Sequence, residues 1–196
     1  PLAHTLESLA DISNLAEARA VPVLMGHNLR FHAGLDAIKR AVVSGRLGEP
    51  LYSRAQFGEW LPGNHQWEDY RTRYEANKEL GGGAILTSIH EIDHAYWLFG
   101  PFDSVMAVAR TRHLDIEVED VAMMIFEHST GMLSEIVLDF VQRVYRRSLQ
   151  IVGTEGTIEW ELLSNRVAIF ESSKGEWSDL FQFEEDLDVK HVINLT

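Results

Sequence analysis

Val121-Ala122-Met123-Met124-Ile125-Phe126-Glu127, then Ser129-Thr130-Gly131, then Met132-Leu133-Ser134-Glu135-Ile136-Val137-Leu138 decides the fold. Two strand-like runs flank a turn of small and polar residues. Successive strands joined so tightly run antiparallel. Working outward, similar runs occur at 104–111, 148–152, 157–161 and 167–170, with Thr154-Glu155-Gly156 as another turn. The run that begins at Met132 extends to Val141, and 51–60 reads as one further strand. Helical periodicity at 35–44, with Leu35, Ile38 and Val42 apolar, ends at Gly45 and Gly48. The expected class is α+β: a mostly antiparallel open sheet covered on one face by helices.

The opening residues have another character. Leu2, Leu6, Leu9, Ile12, Leu15 and Ala16 fall on one side of a helix over 2–20. Val21-Pro22-Val23-Leu24-Met25-Gly26 is a near-continuous apolar run, the pattern of a parallel strand covered on both faces. Such a strand needs neighbours, so residues 1–27 read as the end of an α/β unit and 28–196 as the α+β domain.

Composition removes several classes of function. The 196 residues carry a net charge of −13, which disfavours nucleic acid and anionic membranes as partners. Arg143, Arg146 and Arg147 make too short a basic cluster to change that. The absence of cysteine excludes disulfides and thiolate chemistry, and suits a reducing, cytoplasmic setting. No apolar run reaches the length of a membrane span. The acidic stretch 184–188 is expected to be a solvated surface segment.

Chemistry concentrates between 81 and 94. Gly81-Gly82-Gly83, backbone able to approach a ligand closely, leads into a helix carrying His90, Glu91, Asp93 and His94. At about 100° per residue, Ile85, Ile89, Ile92, Tyr96 and Phe99 form the face expected to pack on the sheet. His90 sits about 60° from both Thr87 and Asp93, so one ligand could reach all three. His90-Glu91-Ile92-Asp93-His94 also matches the H-E-x-x-H helix of zinc hydrolases, but Asp93 is unusual there and no third-ligand signature follows. A satisfied polar pair at a helix end is the plain structural alternative. The third option is acid–base chemistry by a histidine oriented by its neighbours. The long polar and aromatic segment 61–78 reads as a binding element; Trp67, Asp69, Tyr70 and Arg71 carry the aromatic faces and charges that sugars require.

Several motifs together resemble the glucose–fructose oxidoreductase / inositol dehydrogenase / MocA family. They are Gly26-His27-Asn28-Leu29-Arg30-Phe31, Gly45-Arg46-Leu47-Gly48-Glu49-Pro50, Gly81 to Asp93 with Trp97-Leu98-Phe99-Gly100, Glu117-Val118-Glu119-Asp120 and Gly153-Thr154-Glu155-Gly156-Thr157. The resemblance implies a Rossmann domain for NAD or NADP, followed by an α+β domain whose open sheet makes a homodimer or homotetramer. Residues 1–27 would then be the last helix and strand of the Rossmann domain, and the family's final helices would lie beyond residue 196. In agreement, no G-x-G-x-x-G occurs in the chain. The resemblance also makes His90 the active-site histidine, which exchanges a proton with a sugar or cyclitol hydroxyl. Thr87 stands where an aspartate is usual, three residues before His90. The family's lysine partner precedes Pro1. Asn28 and Arg30 would meet nicotinamide and substrate, and Asp93, Trp67, Arg71 and Tyr145 would contact substrate. This chain alone is expected to be inactive. The alternative to an enzyme is a family-like scaffold that has lost its chemistry, for which Thr87 is the argument.

Overall fold

In the computed structural model, which describes residues 1–65 and 67–182, eight strands form one sheet. They are β1 (Pro50–Trp60), β2 (Phe102–Arg110), β3 (Val121–His128), β4 (Leu133–Asp139), β5 (Val141–Gly153), β6 (Gly156–Glu161), β7 (Arg166–Glu171) and β8 (Glu176–Gln182). Across the sheet the order is β2-β3-β4-β1-β5-β6-β7-β8. Only β1 with β4 is parallel; the other neighbours are antiparallel. The expected open, mostly antiparallel sheet is the fold of this chain.

The exception arises because the chain leaves β1, adds two further helices, and returns through β2 and β3 to lay β4 alongside it. It then turns over the end of β1 at Phe140, whose carbonyl accepts from Leu61 N at 3.1 Å. Asp139 Oδ1 accepts from Val141 N at 3.0 Å and Gln142 N at 2.7 Å, fixing that corner. The chain continues as β5 on the other side of β1, so β4 and β5 embrace the strand between them.

Strand alternation sorts side chains by face. In β3, Ala122, Met124 and Phe126 are buried while Met123 and Ile125 are exposed. The buried set faces α2 (Ala33–Val43), α3 (Ala84–Thr87) and α4 (His90–Phe99), while α1 (Leu9–Ala18) buries no residue. Helix α4 packs on β1 and β4, α3 on β3 and β4, and α2 on β7 and β8. Leu35 and Ile38 of α2, with Ile136, Leu138, Ile151 and Ile169 of the sheet, are fully buried. Burying each of these stabilises by about 1.5–3 kcal/mol. Helix α2 begins where His32 Nδ1 accepts from Gly34 N at 3.1 Å. No helix among the described residues is long and apolar enough to cross a membrane.

Four expectations need correction. The run 148–152 is the end of a 13-residue β5 that starts at Val141, so Arg143, Tyr145 and Arg147 are strand residues. Strand β8 was not among the expectations, because its segment is too polar to stand out, as suits an edge. The run 21–27 forms no strand: no strand among the described residues lies beside it to accept a ladder, and Leu24 is 90% exposed. Likewise only 9–18 of the expected first helix is helical, and none of it is buried. The fourth correction concerns the helix over 84–99, which is broken at Ser88 (φ −104°, ψ 43°). That break rotates the second half, so Glu91, His94, Ala95 and Leu98 are buried and Tyr96 of the expected sheet-facing stripe is exposed. The acidic stretch 184–188 lies outside the described residues.

Candidate active site

The glycine triplet serves packing. A side chain at Gly82 would meet the Tyr74 and Glu75 carbonyls at 2.5 Å, and one at Gly83 would meet the Glu119 carboxylate at 2.4 Å. Gly83 also needs its φ of 102°, which disfavours any L side chain. Ala84 N donates to the Glu119 carbonyl and Ile85 N to its carboxylate, each at 3.0 Å. Glu119 therefore locks α3 to the start of β3. The close approach expected of these glycines is to the protein's own backbone.

The break at Ser88 restarts the helix with His90 at its first position. A helix N-terminus disfavours an imidazolium there. The His90 ring is flanked by His27, edge-on at 6.4 Å between centroids, and by His94, stacked at 6.4 Å. Its Nδ1 is buried with no partner among the described residues. Burial first, then the Arg147 guanidinium and His27, push its pKa down to about 4. Near neutral pH this imidazole is uncharged and can accept a proton.

Beneath it lies a buried ion pair. Arg147 Nε donates to Glu91 Oε1 at 2.8 Å, both side chains are 2% exposed, and the guanidinium lies 4.3 Å above the Phe57 ring. Burial raises the Glu91 pKa, and Arg147 opposes that. His94, sealed behind His90, is held well below its ordinary pKa by burial and then by Arg147. Glu91, the residue that would activate water in a zinc hydrolase, thus points into the interior and neutralises an arginine. Among the described residues no group of three or more metal-ligating side chains is assembled.

His90 and Thr87 line a cavity of about 440 Å³ with Pro1 to His4, Met25 to His27, Tyr74, Leu80, Gly81, Leu86 and Ile89. The opening residues therefore form one wall, and the other is the Gly81-to-His90 segment. Thr87 Oγ1 is buried with no partner among the described residues. Asp93 and Arg30 are brought together: Arg30 Nε donates to Oδ2 at 2.8 Å and Nη2 to Oδ1 at 2.5 Å. Asn28 begins a short 3-10 turn with Arg30, beside His27. The other expected contacts are dispersed. Trp67 is exposed and its ring meets His65 at 5.0 Å. Arg71 is exposed and held by Asp69 at 2.7 Å. Tyr145 packs edge-on against Phe57 at 5.7 Å, and burial raises its hydroxyl pKa. From segment 61–80 the residues lining the cavity are Tyr74 and Leu80. Sequence reasoning missed these two, His27 and the Arg147–Glu91 pair. A charge at 91 on the face shared with Ala95 and Leu98 was a usable signal for the pair; none marked His27.

The sequence profile of the GFO/IDH/MocA C-terminal domain matches residues 35–159, from α2 into β6. The chain belongs to the GFO/IDH/MocA family. Among relatives, this family member is 27% identical over 165 residues to D-apiose dehydrogenase of Paraburkholderia graminis, covering 81% of this chain and 42% of the relative. It is 28% identical over 163 residues to 1,5-anhydro-D-fructose reductase of Ensifer adhaerens, covering 81% and 47%. It thus spans less than half the length of either relative. Levoglucosan dehydrogenase, solved in complex with NADH and L-sorbose, has the same fold: TM-score 0.81 at 18% identity, over 92% of this chain and 53% of that one.

Proposed function

We propose that this GFO/IDH/MocA domain is the substrate-facing part of an NAD- or NADP-dependent oxidoreductase that interconverts a hydroxyl and a carbonyl on a sugar, an amino or nucleotide sugar, or a cyclitol. The observation that carries the reading is His90, an uncharged imidazole on the wall of an open polar cavity. Related dehydrogenases and reductases of small sugars support the substrate class.

The residues present fit the nicotinamide end of such a cofactor. The cavity carries imidazoles, an unpartnered threonine hydroxyl and exposed backbone, and His27 with Asn28 would border the ring. Its lining has no lysine or arginine and the chain has no G-x-G-x-x-G, so the phosphates would be held by a Rossmann domain of which residues 1–27 are the last part. When bound, the cofactor takes a hydride from the carbinol carbon or returns it. His90 Nε2 takes the hydroxyl proton in oxidation and gives it back in reduction. Thr87 can hydrogen-bond the same hydroxyl but cannot carry its proton near neutral pH. Arg147 keeps the imidazole basic site empty until substrate arrives, because a second positive charge beside it is unfavourable.

The bare sheet face fits a homodimer or homotetramer. Tyr52, Met106, Met123, Ile125 and Leu133 are exposed there together, and adjoining apolar residues of this kind mark an interface. A cysteine-free chain suits a reducing, cytoplasmic setting.

The test uses the full-length protein with a panel of sugars and cyclitols and both nucleotides, following nicotinamide absorbance. His90→Ala should lower kcat by about 10²–10⁴-fold while nucleotide binding persists. A wild-type protein inert toward the whole panel, or a His90→Ala variant at full rate, would sink the reading and favour a scaffold.

A further inference from the structure

With threonine at position 87, the proton that His90 collects has no carboxylate on its own helix segment to receive it. Asp93 is occupied by Arg30. Glu91 is sealed inside with Arg147. Tyr74 reaches the cavity, but burial raises its hydroxyl pKa, which makes it a poor proton carrier near neutrality. His4 lies across the cavity against Gly81.

His27 is different. Its ring is edge-on to His90, interplanar angle 82°, and both line the same cavity. Its Nε2 stands 3.6 Å from Asp93 Oδ1. Because Arg30 holds both carboxylate oxygens, Asp93 is fixed in place, yet each oxygen keeps a lone pair. A carboxylate held in place beside the ring gives the imidazole a fixed acceptor to face.

We propose that His27, flanked by Asp93, is the proton relay of this site, passing to solvent the proton that His90 takes from the substrate. The claim rests on the oxidoreductase reading of His90. In the oxidative direction the carbinol O–H breaks and its proton goes to His90 Nε2, while the C–H electron pair leaves as hydride for the nicotinamide. His90 then hands the proton to His27, and His27 to bulk water. Ring centroids 6.4 Å apart are too distant for a direct hydrogen bond, so the transfer requires a bridging water. The charged and titratable groups around His27 are Asp93 and His90 on α4, Arg30 on the adjoining turn, Arg147 of β5 beneath His90, and His4, Tyr74 and the Pro1 amino group across the cavity.

The test is made in the full-length protein. His27→Gln should lower kcat by about tenfold, less than the roughly 10²–10⁴-fold of a group that takes the proton directly. Added imidazole should restore turnover in His27→Ala, which a merely structural loss would not allow; thermal melting confirms that both variants fold. A histidine NMR titration provides a readout independent of turnover: removing His27 should raise the His90 pKa, since His27 depresses it. An active wild type whose His27→Gln variant keeps the same rate, pH profile and His90 titration overturns the relay and leaves the oxidoreductase reading intact. A wild type inert toward every substrate overturns both.

Discussion

The two faces of the sheet each carry an arginine–glutamate pair, and the pairs behave differently. Arg147 and Glu91 are sealed between β5 and α4, at 2.8 Å with 2% of either side chain exposed. Arg54 and Glu135 meet across β1 and β4 at 3.0 Å with 62% and 41% exposed. The second pair sits in water, which screens it, and holding two long side chains costs entropy that offsets its attraction. The first pair has lost its water. Arg147 Nη1 and Glu91 Oε2 have no partner among the described residues, so each charge relies on the other. What differs is the surrounding medium, and only the buried arginine can press on a neighbouring histidine.

Removing one partner of the buried pair should have the largest effect. Glu91→Leu leaves Arg147 uncompensated and should destabilise by about 3–5 kcal/mol, read from urea denaturation. It should also push the His90 pKa further down, since Arg147 already depresses it. If Glu91→Leu costs no more than an exposed charge would, the contrast between the faces is lost.

Replacing both partners sharpens the comparison. Arg147→Met with Glu91→Leu removes both desolvation penalties and should recover most of that loss, because apolar pairs of similar volume substitute for buried ion pairs at little net cost. The His90 pKa should rise, since the guanidinium that depresses it is gone. A stable double variant with an unmoved His90 titration would break the link between this pair and the site.

This pair also marks the limit of what the sequence could tell. The antiparallel sheet was legible because turns such as Ser129-Thr130-Gly131 separate strand-like runs. His90 was singled out because a glycine triplet precedes it, and the fold brings it to a cavity wall. Glu91 with Arg147 was not, because they are 56 residues apart and meet only when β5 passes under α4. The break at Ser88 was also silent, and it turns Glu91 inward by rotating the second half of the helix. His27 likewise gains meaning only from the approach of Asp93.

Acid should unsettle the covered face before the bare one. His32, His90, His94 and His128 all have pKa values lowered first by burial. A base whose folded pKa lies below its unfolded value near 6.5 contributes stability that is present above that value and lost as pH falls toward the folded pKa. For His90 the window runs from about 6.5 down to about 4. His32 adds a local reason, since its Nδ1 must stay unprotonated to accept from Gly34 N. Denaturation midpoints should therefore fall steadily over this range, and His94→Gln should flatten the slope. A midpoint that is level from pH 7 to pH 5, or a slope that His94→Gln leaves unchanged, would show that these rings do not set the acid response.

The smallest effect belongs to the bare face. Arg54→Ala should change the stability of the folded chain by about 0–1 kcal/mol, shrinking further in high salt. That near-silence is itself informative, because Arg54 lies among Gln56, Glu135, Arg146, Gln150 and Glu159 on the face proposed to meet another subunit. If two copies close over this face, water leaves and the Arg54–Glu135 pair passes from the regime of the second pair to that of the first. Arg54→Ala should then leave unfolding of dilute protein unchanged while weakening assembly, read as a lower mean mass in sedimentation at the same concentration. Equal effects in dilute and concentrated protein would mean that this face remains in water.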